Sequence, residues 1–229
     1  MSALTVVFDL DGTLVDSAPD LVAALNVVLV GASLRPVSFA DGRTMVGGGA
    51  RMMVERGLKA NRRGLPPAEV DRMVREFIAY YAEHIAVHSR PFHGVEAALD
   101  QLAASSCRLA VCTNKLEWLS VRLLDALNLT KRFRAICGPD TFGVPKPDPK
   151  ILRGTIERAG GDPARAIMIG DSMTDIATAR AAGVPVVAVD FGYTDIPVER
   201  LKPDRVVSAF AQLPQVISQV LSTGQIGVL

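Results

Sequence analysis

The sequence predicts an α/β fold, a doubly wound parallel sheet interrupted by an inserted α-helical unit. Three observations lead there. Short β-rich apolar runs alternate with segments of helical periodicity, the pattern of parallel strands joined by right-handed crossovers. Several of those runs end in polar residues, and open parallel sheets bind their ligands beyond the carboxyl ends of the strands. Residues 16–88 break the alternation and read as helices alone.

Taken in order, Leu4 to Phe8 is the first strand and runs into Asp9-Leu10-Asp11-Gly12-Thr13. Helices follow at about Pro19 to Val30, Gly42 to Gly57 and Pro66 to Val87, with Gly31 to Ala40 and Lys59 to Leu65 as loops. The chain rejoins the sheet near Ser89-Arg90-Pro91, which divides it into a core of residues 1–15 and 89–229 and an insertion of residues 16–88. Strands at Arg108 to Cys112, Phe133 to Cys137, Ala166 to Ile169 and Val184 to Val189 then alternate with helices at Val95 to Ala104, Leu116 to Leu127, Pro149 to Ala159 and Met173 to Ala182. The tail Ser222 to Leu229 is expected to fray.

Composition narrows the function. With 49% hydrophobic and 21% charged residues among 229, the chain can fill a core. Its 25 Lys+Arg against 24 Asp+Glu make a near-neutral balance that offers no electrostatic footprint for nucleic acid or an acidic membrane. Three cysteines, Cys107, Cys112 and Cys137, do not make a disulfide framework. There is no basic leader before Asp9 and no apolar span of the ~20 residues a bilayer needs. The expectation is a cytoplasmic protein, a monomer or small homo-oligomer, whose partner is a small molecule.

The chemistry gathers where the strands end. Asp9 and Asp11 are two apart, and alternation places both on one side of the chain. Asp171 and Asp175 open a helix after another strand, one turn apart. Taken alone, the first pair also fits a turn and Asp171 a helix cap. Four acids at neighbouring strand ends repel one another unless a cation lies among them, and hard oxygen donors suit Mg²⁺. Thr113 and Asn114 end the second strand as donors to an oxyanion, or as a cap for the helix that follows. Lys146 sits among Pro145, Pro147 and Pro149, a positioned cation on a stiffened backbone. Together these groups describe a phosphoryl-transfer site: a carboxylate nucleophile, a second carboxylate for acid and base work, a divalent metal and donors to the phosphoryl oxygens.

Asp9-Leu10-Asp11-Gly12-Thr13, Thr113, Lys146-Pro147 and Gly170-Asp171-Ser172-Met173-Thr174-Asp175, in that order, resemble the four motifs of the haloacid dehalogenase superfamily. The stretches 8–21, 45–50, 94–102, 113–115 and 183–193 are most similar to its bacterial phosphoglycolate phosphatases, which carry an α-helical cap. That resemblance implies a Rossmann-like core with residues 16–88 as the cap. It implies that Asp9 is the nucleophile and Asp11 the acid and base, an assignment the residues by themselves leave open between the two. It further implies that Mg²⁺ is held by Asp9, the main-chain carbonyl of Asp11 and Asp171, with Asp175 in support. Thr113, Asn114 and Lys146 would take the phosphoryl group. Asp11 sets the chain apart from dehalogenases and phosphonate hydrolases, which lack an acid there. Phosphomutases keep that acid but tend to carry an early cap histidine, and none lies between Asp16 and His84.

The expected activity is therefore Mg²⁺-dependent hydrolysis of 2-phosphoglycolate through an aspartyl-phosphate. The alternatives are a phosphatase for a sugar phosphate, nucleotide or pyrophosphate, a phosphomutase, and a silent anion-binding protein. For the substrate carboxylate, the glycine-rich helix start at Gly48 and Gly49, with Arg51 and Arg43, offers amides and guanidinium groups. His84, His88 and His93 have no ligand-like spacing and read as structural.

Overall fold

The computed structural model describes residues 3–194 and 196–224. Of the tail expected to fray, Ser222 lies in the last helix and residues 225–229 fall outside the described residues.

The chain enters through β1 (Thr5–Phe8) and turns sharply into β2 (Val15–Asp16). Four helices follow: α1 (Ala18–Gly31), α2 (Phe39–Arg43), α3 (Gly49–Ala60) and α4 (Pro67–Glu83). After β3 (Arg90–Pro91) the regular alternation begins, with α5 (Val95–Ala104), β4 (Arg108–Cys112), α6 (Glu117–Ala126) and β5 (Ala135–Cys137). It continues through α7 (Pro139–Phe142), α8 (Pro149–Arg158), β6 (Ala166–Gly170), α9 (Met173–Ala182), β7 (Val186–Val189), β8 (Arg205–Val207) and α10 (Leu213–Gly224).

Six strands form one sheet in the order β5-β4-β1-β6-β7-β8, with every neighbouring pair parallel. Strand alternation sorts the core into two layers. Val6 and Phe8 join Leu109, Val111, Ile167 and Ile169 on one face, covered by α5, α6 and α10. Val7 joins Ala110, Cys112 and Met168 on the other, under α8 and α9. Register fixes the chemistry: Phe8 is level with Val111 on β4 and Ile169 on β6, so the residues just past all three come out at one rim of the sheet.

Two sequence expectations change. Gly42 to Gly57 is not one helix, because the chain unwinds between α2 and α3, where Gly47 takes φ +105° and Gly49 φ +84°. Those angles lie outside the helical range, and glycine reaches them without the steric cost other residues meet. The sheet also gains β8 at its edge.

Both crossings between the sheet and the helical segment meet in a short ribbon, where Val15 pairs antiparallel with Pro91 and Asp16 with Arg90. Buried Asp20 on α1 clasps the returning chain. Its oxygens accept the His88 amide at 3.0 Å, the Ser89 amide at 2.8 Å and the Ser89 hydroxyl at 2.6 Å. His84 stacks on Tyr80 with ring centroids 4.1 Å apart, as a structural histidine does. No described helix is long and apolar enough to cross a membrane.

Candidate active site

The turn after β1 is wound tightly by its own backbone: the Gly12 amide donates to the Val15 carbonyl and the Leu14 amide to the Leu10 carbonyl, both at 3.0 Å. This presents Asp9 and Asp11 together at the rim, both buried. Gly12 holds φ +86°, and a Cβ there would lie 2.6 Å from Asp171 Oδ2. Gly192, in the loop after β7, is as close, since its Cβ would lie 2.3 Å from the same oxygen. Two glycines thus let two loops close on Asp171.

Asp9, Asp171 and Asp175 each offer a carboxylate oxygen within 4.8 Å of the others, and all three are buried. Their hydrogen bonds divide the work. Asp175 is fully engaged: Oδ2 accepts from the amides of Asp171 and Ser172 at 3.2 and 3.1 Å and from Ser172 Oγ at 2.7 Å, while Oδ1 accepts from Lys146 Nζ at 2.6 Å. The Ser172 and Asp175 bonds form a reciprocal cap that starts α9. Asp171 is oriented by Thr13 Oγ1 at 3.1 Å and by the Tyr193 amide at 2.7 Å. Lys146 Nζ also lies 2.8 Å from Asp9 Oδ1 as an ion pair.

One lysine does not balance three carboxylates. Burial, opposed by Lys146 and reinforced by Asp175, pushes the Asp9 carboxyl up to about 7. Burial, with Asp175 and Asp9 adding to it, pushes Asp171 up to about 8. Burial pulls the Lys146 ammonium down, but Asp175 and Asp9 outweigh it and hold it above the ordinary lysine range. A buried, all-oxygen cluster that resists ionisation by itself is the donor set a hard divalent cation fits.

Asp11 faces a different way. Its Oδ1 accepts from Ser17 Oγ and from Lys115 Nζ, each at 2.5 Å. Lys115 in turn donates to the Tyr81 hydroxyl at 2.7 Å, and its ammonium stands 4.7 Å from the centre of that ring. Sequence reasoning did not assign Lys115, Tyr81 or Ser17 to the site. Lys115 and Tyr81 lie 34 residues apart, and neither belongs to a periodic pattern that marks a polar cluster.

Thr113 is buried at the end of β4, and its hydroxyl accepts the Lys115 amide at 3.2 Å. Asn114 differs from a free oxyanion donor, because its Nδ2 donates to the carbonyls of Gly47 and Lys146 at 3.3 Å and its Oδ1 accepts the Lys146 amide at 2.8 Å. It fastens the lysine loop to the helical segment.

Asp9, Asp11, Thr113 and Asn114 line a cavity of about 280 Å³ whose opposite wall is the helical segment, through Gly47, Gly48, Gly49, Met53, Phe77 and Tyr81. Gly48 and Gly49 thus face the acids. The two arginines expected beside them are held elsewhere. Arg51 reaches the cavity edge but its side chain is 53% exposed and is paired with Glu55 and Asp71. Arg43 donates to the carbonyls of Phe191 and Gly192 at 3.0 and 2.9 Å and covers the Tyr193 ring.

Residues 6–189 match the profile of the haloacid dehalogenase-like hydrolases. A phosphoglycolate phosphatase of Mesorhizobium japonicum is 50% identical over 213 residues, covering 93% of this chain and 94% of its own. One from Agrobacterium fabrum is 47% identical over 219 residues, covering 95% and 94%. The crystal structure of a predicted phosphoglycolate phosphatase from Haemophilus somnus superposes with TM-score 0.87 at 31% identity, covering 95% of this chain and 99% of that one.

Proposed function

Starting from the premise that this chain belongs to the haloacid dehalogenase-like hydrolases and is a phosphoric monoester hydrolase, we propose that it hydrolyses 2-phosphoglycolate to glycolate and phosphate. The observation that carries the chemistry is the acid pair Asp9 and Asp11 lining the cavity, with Lys146 2.8 Å from buried Asp9 and a carboxylate oxygen of Asp171 within 4.8 Å of it. The substrate comes from the relatives' names, and a small cavity agrees with it.

In this reading residues 16–88 are a cap over a core of residues 1–15 and 89–229, and the partner is a small phosphorylated metabolite in the cytoplasm. Thr113 and Lys146 hold the phosphoryl oxygens. Asp9 attacks phosphorus, forming an aspartyl-phosphate as the bond to the glycolate oxygen breaks, and Asp11 gives that oxygen its proton. Asp11 then takes a proton from water, which attacks the intermediate, releases phosphate and restores Asp9. Asp9, the Asp11 carbonyl and Asp171 would hold Mg²⁺, which would supply positive charge to offset the negative charge of the phosphoryl group. Asp175, whose two oxygens both accept hydrogen bonds, positions Lys146 and the Asp171 backbone.

Phosphate release from 2-phosphoglycolate, a hexose phosphate, a nucleoside monophosphate and pyrophosphate tests the substrate. The highest kcat/KM is expected for phosphoglycolate with Mg²⁺, and little release in a chelator. A tenfold advantage for another ester, on the scale of one lost contact, would displace the reading.

The metal has its own readout in stability. Raised carboxyl values mean that the stability Asp9 and Asp171 lend the metal-free protein is fully present only below the ordinary carboxylate value of 3.8 and is lost as pH rises from there to about 7 and 8. A cation needs them ionised. Mg²⁺ should therefore raise the melting temperature more at about pH 8.5 than at about pH 6. An equal gain at both would place the ion elsewhere.

A further inference from the structure

We propose that Lys115 is the residue that receives the carboxylate of the substrate, letting go of Asp11 as it does so. The assignment rests on the phosphoglycolate reading above and says which group enforces it.

Lys115 has the necessary address. It touches Asp11, which in that reading protonates the leaving oxygen, and in phosphoglycolate a single methylene separates that oxygen from the carboxylate. A cation next to Asp11 is therefore next to the far end of the substrate. Lys115 also lines the cavity, with its side chain 5% exposed.

Its surroundings make the charge count. The cavity wall beside it is apolar, built from Leu21, Phe77, Ile78, Leu116 and Leu119. A carboxylate entering such a wall loses water and needs a charged donor in return. Among the described residues lining the cavity the only cations are Lys115 and Arg51, and Arg51 is half exposed and already bound to two acids.

The ammonium is also prepared for an exchange. It has three protons and two hydrogen-bond acceptors among the described residues, Asp11 Oδ1 and Tyr81 Oη. Tyr81 can keep its hold while the carboxylate of the substrate replaces that of Asp11. Asp11 remains on Ser17 Oγ and becomes free to turn to the leaving oxygen. A substrate without a carboxylate leaves Lys115 on Asp11, so discrimination enters kcat as well as KM.

The experiment compares 2-phosphoglycolate with 2-hydroxyethyl phosphate, its uncharged counterpart, on the full-length parent and on Lys115→Met with Mg²⁺ present. Activity on both substrates should fall, but the ratio of their kcat/KM values should drop roughly 10- to 100-fold, the scale of one charge-assisted contact. Lys115→Arg should recover part of that ratio. A parent that favours phosphoglycolate and a variant that keeps the same ratio would overturn the Lys115 assignment and leave the substrate reading standing. A parent with no preference would overturn the substrate reading and the assignment with it. If the methionine variant does not fold, Lys115→Gln is read by the same ratio.

Discussion

Asp9→Asn is expected to lower phosphate release by roughly 10⁴- to 10⁶-fold, the scale seen when a catalytic nucleophile is removed. The substitution keeps the shape of a buried side chain but removes the negative charge that lies against Lys146 at 2.8 Å. With it goes the atom that forms the bond to phosphorus. The fold should survive, since Asp9 is not the acceptor on which α9 or the lysine loop depends; Asp175 and Asn114 have those tasks. Acid quenching of the parent during turnover should add one phosphoryl group to the peptide that carries Asp9, and to no peptide of the variant. Turnover of Asp9→Asn within about tenfold of the parent would exclude a covalent route through this residue.

Lys146→Met should be the most destabilising change at the site. It removes a buried ammonium that lies against Asp175 at 2.6 Å and Asp9 at 2.8 Å, leaving two buried acids without their cation. Breaking a buried ion pair from one side costs about 3–5 kcal/mol. For a chain of this length that corresponds to a fall of roughly 10 °C in melting temperature. Protonation of the stranded acids limits the damage, so the loss should be smaller near pH 5 than near pH 8. Saturating Mg²⁺ should restore part of it by replacing one positive charge with another, without restoring activity. A melting temperature within about 2 °C of the parent at pH 8 would show that the lysine is not the counter-charge of the cluster.

The sheet was legible because its strands are short, apolar and each followed by a polar residue with a job. Asp9, Thr113 and Asp171 could be placed at one rim from that alone, since parallel strands in register bring their ends level. Strand β8 was not legible: three residues at an edge, one of them exposed, carry no alternation long enough to read. The break between α2 and α3 was available in Gly47-Gly48-Gly49, but the apolar residues on either side kept helical spacing and outweighed it. The polar contacts that complete the site are of a third kind. Lys115 meets Asp11 across 104 residues and Tyr193 meets Asp171 across 22. Such contacts are set by how two elements pack, and no local pattern encodes them. For the arginines the sequence shows a guanidinium near a glycine-rich helix start but not its partners, which are Glu55 and Asp71 for Arg51 and the Phe191 and Gly192 carbonyls for Arg43.

The two-residue ribbon of β2 and β3 has a consequence for how such a chain diversifies. Because Val15 lies against Pro91 and Asp16 against Arg90, the sheet experiences everything between them as one loop already closed at its base. Closure entropy grows only logarithmically with length, so even doubling that loop would cost about 0.6 kcal/mol. Helices could be lengthened, lost or exchanged there with almost no strain passed to the strands that carry Asp9 and Asp171. The strands that carry the acids and the helices that wall the cavity thus lie on separate stretches of the same polypeptide and meet where Lys115 donates to Tyr81.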